Sequence, residues 1–517
     1  MATEHYTPSS TAAPARGHQG RTFESPRERL LAGLPVTERR LSLNGVTTRA
    51  VIGTAQTKEV RQMRHFILER TLPRQVILVA LMVAGSSHAL ALQLQPMDAG
   101  RQRKPQHVNA VTHWNRIATE IFPIEPGPII DSRDFAILHA AVHDAVNGIE
   151  RRYEPYTIYL SFPGASVDAA VARAAHDVLA ELAPSHRERI DREYSAAVDR
   201  VPDGPAKDAG LILGEETARA NLDRRSGDGI IPGPWPPQTG PITEPVYVPT
   251  GTPGEYDFTP PFDAPPLGPV ALFPGWRRLT PFAIDLERHR LKGPDSLHSR
   301  RYARDLNVVK SVGSRQSVTR THDQAETAFF WFEEDWSMWN GIARTVIQQQ
   351  RMDPWRAARV LALLNFALAD SGIACLDAKY HFRFWRPYTA IRRAEEDGND
   401  RTEADPDWLP LLWTSPDMPP TFFIPPFPDY PSLAAVSAAA AAEVLTKHIG
   451  YHVRFEATSV TRPGVTRRFR SFRQAAREQG MSRVFGGIHF LHAVEDGFAQ
   501  GKSIGREVSR MLPRVRR

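Results

Sequence analysis

Fifteen prolines fall between Pro232 and Pro281, and no other stretch narrows the accessible folds as much. Each proline lacks a backbone N–H and fixes φ, so the WPP, PP and GTPG clusters of residues 227–281 cannot hold regular helix or a central strand. The segment must run extended over a surface built by something else. On both sides of it the apolar spacing is helical. In DSRDFAILHAAVHDAVNGIE (131–150), Phe135, Leu138, Val142 and Val146 share one face, with Asp131 available as a cap. Further helices are expected over 166–182, after Pro184 with Ser185 and Glu188 as a capping box, and over 206–225, 296–312, 323–351, 354–378, 432–448 and 482–511. Strand alternation is hard to find, there is no internal repeat, and no segment beyond residue 92 reaches transmembrane length. The expected architecture is all-α: a helical-bundle domain over 92–517 with a Pro-rich excursion at 227–281.

The formal charge of +6 would suggest nucleic acid or a membrane surface if it were spread over the domain. It is not: residues 1–92 hold 12 basic and 6 acidic residues, and residues 93–517 hold 52 of each. No global electrostatic case for nucleic acid remains. The basic run Arg462, Arg467, Arg468, Arg470, Arg473 and Arg477 has no alternating aromatic platform and reads as a solvated face. A single cysteine, Cys375, excludes an internal disulfide framework and any multi-cysteine metal site.

Residues 1–62, interrupted by Pro8, Pro14, Pro26 and Pro35, read as a disordered or appended extension. From Met63 the chain has the anatomy of a signal peptide: basic Arg64, Arg70 and Arg74, an apolar run from Val76 to Ala84, and the cleavage-type Ala89-Leu90-Ala91. The expectation is translation from Met63, cleavage of 63–91, a mature start near Leu92, and a periplasmic or extracellular protein.

Chemistry concentrates in residues 370–511. Lys379 precedes Arg386-Pro387 by seven residues; Pro428-Asp-Tyr-Pro431-Ser432-Leu433-Ala434 leads into an Ala-rich helix; Ser482-Arg483 precedes His489 at the entry to the last helix. Two guanidinium forks, an ammonium and a helix N-terminus beginning at Ser432 suit an oxyanion, and an imidazole nitrogen can attack phosphorus or coordinate a metal oxyanion. Singly each piece is ordinary: a Lys seven residues from an Arg is most often a solvated helix face, and a His at a helix start is most often structural. The ordered conjunction is not ordinary.

That conjunction resembles the K-x6-R-P, P-S-G-H and S-R-x5-H signature of the phosphatidic-acid phosphatase type 2 and vanadium-dependent haloperoxidase superfamily, in its exported haloperoxidase-related branch. The likeness also covers HVNAVTHWNRIATEIF, ILHAAVHDAVNGIERRYEPY and LFPGWRRLTPFAI. It implies a fold of helical bundles with vanadate as cofactor, or no cofactor and phosphate as substrate or ligand. Lys379, Arg386, Ser432, Leu433 through its backbone, and Arg483 would bind the oxygens, His489 would be the vanadium ligand or phosphoryl-accepting nucleophile, and Trp385 would line the pocket.

The middle motif departs from the pattern. Leu433 replaces its Gly, and Ala434 replaces the His that serves the family as general acid/base. Loss of such a group costs on the order of a hundred- to ten-thousand-fold in rate, while oxyanion binding by the other donors survives. Ala493 stands where many relatives carry an Asp that could orient the imidazole, with Asp496 two helical turns beyond His489 as a substitute. His492 and His381 are candidate replacements for the missing His, although a surface position for the first and a packed turn for the second are the plainer readings. His139 and His143, at four-residue spacing, read as core packing rather than a metal pair.

The implied reaction is vanadate-assisted oxidation of halide by hydrogen peroxide, weakened by Ala434. The alternatives are an acid phosphatase using His489, or a non-catalytic phosphate- or vanadate-binding homologue. The expected partners are peroxide, halide and an organic acceptor or phosphoester, without nucleic acid or a stable membrane span; homo-oligomerisation is left open.

Overall fold

A computed structural model describes residues 109–122, 128–229, 247–265, 268–413 and 423–515. The expected extension at 1–62 and signal peptide at 63–91 lie outside these residues, as does 230–246 of the Pro-rich stretch. The fold is helical, as the spacing predicts. In chain order the helices are α1 (Ala110–Ile121), α2 (Pro128–Ile149), α3 (Val167–Leu182), α4 (Arg187–Val198), α5 (Pro205–Arg225), α6 (Arg300–Val312), α7 (His322–Phe330), α8 (Asp335–Gln349), α9 (Pro354–Phe382), α10 (Pro387–Arg392), α11 (Leu433–His448), α12 (Phe472–Phe485) and α13 (Leu491–Val508). The β structure among the described residues includes an antiparallel hairpin, β1 (Phe455–Thr458) with β2 (Thr466–Phe469), that the alternation did not reveal.

Helix α9 organises the molecule. Asp353 caps it by accepting from Trp355 N and Arg356 N, at 3.1 and 3.2 Å, and Pro354 occupies its first turn. It is apolar nearly all round and therefore buried nearly all round. Leu361, Leu364, Leu368 and Leu376 are fully enclosed, each worth about 1.5–3 kcal/mol of burial. α2 packs on one side of it and α11 on another; α3 and α5 extend the first bundle, α12 and α13 the second. The expectation that no segment beyond 92 reaches transmembrane length is corrected here. At 29 residues α9 is long and apolar enough to cross a membrane by length and composition, and 94% of its most apolar window is buried in the fold.

Several boundaries differ from the periodicity, and the differences matter for function. α2 begins at Pro128, so Asp131 sits in its first turn rather than at its cap. Pro184–His186 forms a short 3-10 turn, and α4 starts after His186 without a side-chain cap bond, in place of the Ser185 capping box. The segment 323–351 is broken into α7 and α8, and 482–511 into α12 and α13. Both breaks fall at the same end of the second bundle.

The described part of the Pro-rich excursion is tied to that end. Tyr256 N donates to Arg383 O at 2.6 Å, Trp385 N to Gly254 O at 3.0 Å, and Leu272 N to Pro426 O at 2.8 Å. Asp370, buried in α9, accepts from the N–H groups of Phe282 and Ala283 at 2.7 and 2.8 Å, which anchors the far end of the excursion to the core.

Candidate active site

Lys379 lies in the last turn of α9, buried with its ammonium turned inward. It donates to Pro428 O and Asp429 O at 2.6 and 2.8 Å. The chain then turns at Arg383, whose left-handed φ of 51° ends the helix, and Arg386 enters α10 as its N-cap. Arg386 is also fully buried. Its Nε donates to Phe427 O at 2.8 Å, one terminal nitrogen to Ile488 O at 2.8 Å and the other to Pro425 O at 3.0 Å. The Phe427 ring faces both cations, 4.8 Å from the Lys379 ammonium and 5.0 Å from the Arg386 guanidinium.

Arg483 stands in the last turn of α12, 3.5 Å from Asp335. After it the helix closes at Gly486, and Gly487 adopts φ 77° where an added Cβ would lie 2.5 Å from Gly313 O. Only glycine turns the chain there. The Arg483 carbonyl then receives Ile488 N at 3.0 Å and His489 N at 3.3 Å, which places His489 in the link before α13.

His489 Nδ1 is 2.8 Å from Asp429 Oδ1, and its Nε2 is 3.2 Å from an Arg386 terminal nitrogen. Burial drives the imidazole pKa down to about 3; Asp429 opposes this and Arg386 reinforces it. Burial alone would raise the Asp429 carboxyl, but His489, Arg386 and Lys379 together hold it below the usual range. The consistent assignment is a neutral imidazole with its Nδ1 proton toward an ionised Asp429 and its Nε2 lone pair turned inward.

Ser432 precedes α11 and makes no side-chain cap bond; its N–H donates to Ala493 O at 2.9 Å, and its buried Oγ has no hydrogen-bond partner in the protein. The first N–H groups of such a helix have no intrahelical acceptor. Leu433, Ala434, Arg483 and His489 line a cavity of about 320 Å³, together with Phe262, Leu272 and Phe273 of the Pro-rich excursion and Glu333, Glu334 and Asp335 from the α7–α8 break. Trp385 is not among the cavity's lining residues. It is enclosed in the apolar cluster with Tyr302, Phe490 and Val494.

The structure thus brings Lys379, Arg386, Ser432, Leu433, Arg483 and His489 to one end of the second bundle. The candidates weighed as substitutes from the sequence lie in other surroundings. His492 is buried, not on the surface, with its Nδ1 3.2 Å from Asp305, and His381 is exposed at the end of α9. Asp496 accepts from Tyr430 Oη at 2.7 Å and lies on α13, which begins only after His489. Asp429 takes the orienting role instead, from a different segment. His139 and His143 are core residues bonded to Asn115 and to Asn147 and Glu154 O. In the basic run, Arg462, Arg467, Arg468 and Arg473 pair with Glu326, Glu478 and Asp323, Glu456 and Glu443. Asp429, Asp335 and Glu334 escaped the sequence reading. The run Glu333-Glu334-Asp335 was a usable signal, since acidic residues gather in first helical turns.

Vanadate or phosphate needs cationic donors and hydroxyl or N–H groups around a protected centre. Three buried basic side chains, Lys379, Arg386 and Arg483, stand against Asp429 and Asp335, and burial raises the pKa of Glu333 and Glu334 on the cavity wall so that they hold their charge less readily; donors to an anion are thus gathered at the site with the imidazole neutral. The unpartnered Ser432 Oγ and the third proton of Lys379, two of which are engaged, point the same way. The residues fit an oxyanion.

Comparison with known proteins agrees with the all-α fold. Residues 359–517 match the family model described as the VCPO second helical-bundle domain. The vanadium chloroperoxidase of Curvularia inaequalis is 24% identical over 425 residues, 68% of each chain. The crystal structure of the first bacterial vanadium-dependent iodoperoxidase superposes with TM-score 0.64 at 23% identity, covering 81% of this chain and 99% of that one. A holo-type bacterial vanadium-dependent chloroperoxidase does so with TM-score 0.59 at 16% identity, over 82% and 96%. Over residues 359–517 the chain is thus similar to a vanadium chloroperoxidase helical-bundle domain, and its described fold is that of these haloperoxidase structures.

Proposed function

We propose that this protein is an exported vanadium-dependent haloperoxidase-like enzyme that oxidises halide with hydrogen peroxide. The observation that carries the reading is the meeting of Lys379, Arg386, Arg483 and His489 around Asp429 and Ser432 at one buried bundle end. Lys379, Arg386, Arg483, the Ser432 hydroxyl and the first N–H groups of α11 would hold the oxygens of vanadate, and His489 Nε2 would be its protein ligand. Asp429 keeps that nitrogen unprotonated and aimed by holding the opposite side of the ring. Vanadate, when bound, supplies a Lewis-acidic centre at which peroxide becomes an oxidant of halide. Phe262, Phe273, Phe332 and Phe427 give the same space apolar walls.

The test is reconstitution of the purified protein with vanadate and an assay of bromide oxidation by peroxide. Turnover that requires vanadate is expected, and its absence in both the wild type and Ala434→His overturns the reading. Labelled phosphate trapped on His489 from an aryl phosphate would mark the phosphatase chemistry instead. A vanadate-induced rise in melting temperature without either activity would mark a binding protein. Export is checked by sequencing the N-terminus of the secreted product, expected near Leu92; an N-terminus near Ala2 overturns it.

A further inference from the structure

The weak point of the site is a proton. Oxidising a halide by peroxide, X⁻ + H₂O₂ + H⁺ → HOX + H₂O, takes two electrons from the halide and breaks the O–O bond. One oxygen leaves with the halogen and the other as water. A proton must come off the incoming peroxide and return to the departing oxygen, and the methyl of Ala434 can do neither.

A carboxyl group lines the same cavity. Glu334 sits at the break between α7 and α8, where it is the N-cap of α8, yet it makes no side-chain cap bond. Its Oε2 is buried without a hydrogen-bond partner. Its two neighbours in sequence are committed elsewhere. Glu333 accepts from Val460 N at 3.0 Å. Asp335 is 3.5 Å from Arg483, accepts from Ser437 Oγ at 2.6 Å, and accepts from Gln479 Nε2. Ser437 is also 3.0 Å from Leu433 O and 3.4 Å from Ala434 O. The bond from Ser437 Oγ to Asp335 therefore fastens the start of α8 to α11 one turn after Leu433 and Ala434, and Glu334 lines the cavity together with Ala434, Arg483 and His489.

We infer that Glu334 is the proton carrier of this site, serving from the α7–α8 break where Ala434 leaves α11 without an acid/base group. The inference rests on the oxyanion reading above. As carboxylate, Glu334 takes a proton from hydrogen peroxide; as carboxylic acid, it gives that proton to the oxygen that leaves as water. The one proton consumed per turnover is drawn from solvent. Its ionisation suits the task. Burial pushes its pKa up to about 7, the charges of Glu333 and Asp335 add to the rise, and Asp131 and the Trp336 indole offset part of it. Arg483 and the neutral imidazole of His489 line the same cavity. A group that titrates near neutral pH can both take and give a proton.

The test uses the full purified chain with vanadate, bromide and peroxide, comparing wild type, Glu334→Gln, Glu334→Asp and the double variant Glu334→Gln/Ala434→His. Vanadate should raise the melting temperature of wild type and Glu334→Gln alike. Bromide oxidation should fall on the order of a hundred- to ten-thousand-fold in Glu334→Gln, through kcat rather than KM. Glu334→Asp should retain part of the rate, and Ala434→His should restore part of it in the Gln background. Independently of turnover, infrared difference spectra of the wild type should show a protonated-carboxyl band that disappears as pH rises through neutrality and is missing from Glu334→Gln.

Equal rates and pH profiles in wild type and Glu334→Gln overturn the assignment of Glu334 alone, as does the absence of that band. Loss of the vanadate response in Glu334→Gln marks a structural residue and also overturns it. A vanadate-loaded wild type without turnover overturns Glu334 as the carrier while leaving the oxyanion pocket standing. A wild type that ignores vanadate overturns the oxyanion reading, and the role of Glu334 with it.

Discussion

Lys379 has its ammonium withdrawn from water at the end of α9, and burial lowers its pKa to about 7, with Arg386 adding to the fall and Cys375 and Asp429 opposing it. Without a ligand it is therefore near half-protonated at neutral pH. An anion held beside it favours the charged form and raises its pKa, so binding takes up a proton in the interval above about 7. The sign follows: vanadate or phosphate affinity falls as pH rises through neutrality, by up to about tenfold per pH unit. Calorimetric titrations at several pH values in buffers of different ionisation enthalpy check this, and Lys379→Met should bind more weakly and lose the slope. The same depression acts on folding. Between about 7 and the ordinary value of 10.5 the unfolded chain binds more protons than the native one, so stability without ligand rises with pH across that window and falls away as pH drops to 7. Lys379, Arg386, Arg483 and His489 were legible in the sequence because their spacing within short segments carries the signal. Asp429, Asp335 and Glu334 were not, because each acts on a partner far along the chain, and one sequence holds no record of that proximity.

Helices α11 and α13 show how element packing sets the site. The alanines of α11 let α13 approach closely, and Gly497, Gly501 and Gly505 present backbone to it at four-residue spacing. A Cβ on Gly501 would lie 2.0 Å from Val436 O. In an exposed helix a Gly to Ala change stabilises by about 1 kcal/mol; here overpacking dominates, at about 1–3 kcal/mol of destabilisation. Gly501→Ala should therefore lower stability in urea denaturation. By moving α13 outward it should also stretch the 2.9 Å bond from Ser432 N to Ala493 O and weaken the response to vanadate. An unchanged midpoint would show that the helices separate freely and that this packing does not position Ser432. The helices themselves were largely readable from period and caps. The breaks at 331–334 and 486–490 were not, since apolar spacing continues across both. Tertiary ties decide them: the bonds from Asp335 to Ser437 and Gln479 at one, and the Gly487 turn against Gly313 at the other.

Across the whole molecule the charge distribution and the Pro-rich excursion acquire one meaning. The formal excess of +6 belongs to residues 1–92, so the domain that folds around the site is neutral by count while three cations are buried at one point within it. That the excursion walls the cavity could not be read from a stretch without periodicity; it follows from where Leu272 N meets Pro426 O and Asp370 meets Phe282 N. The oxyanion donors come from separate elements: Lys379 from α9, Arg386 from the entry to α10, Ser432 from the entry to α11, and Arg483 from α12. An anion bound among them links these elements and relieves the repulsion among their cations, so the native state gains what the unfolded chain cannot. For a ligand at a hundred times its dissociation constant the gain is about 2.7 kcal/mol. Vanadate, and phosphate more weakly if its affinity is lower, should raise the melting temperature progressively with concentration. Chloride at matched ionic strength should not, which separates binding at the site from general screening. Arg483→Met should weaken the vanadate response, because it removes the guanidinium that lines the cavity and leaves Asp335 without the cation beside it.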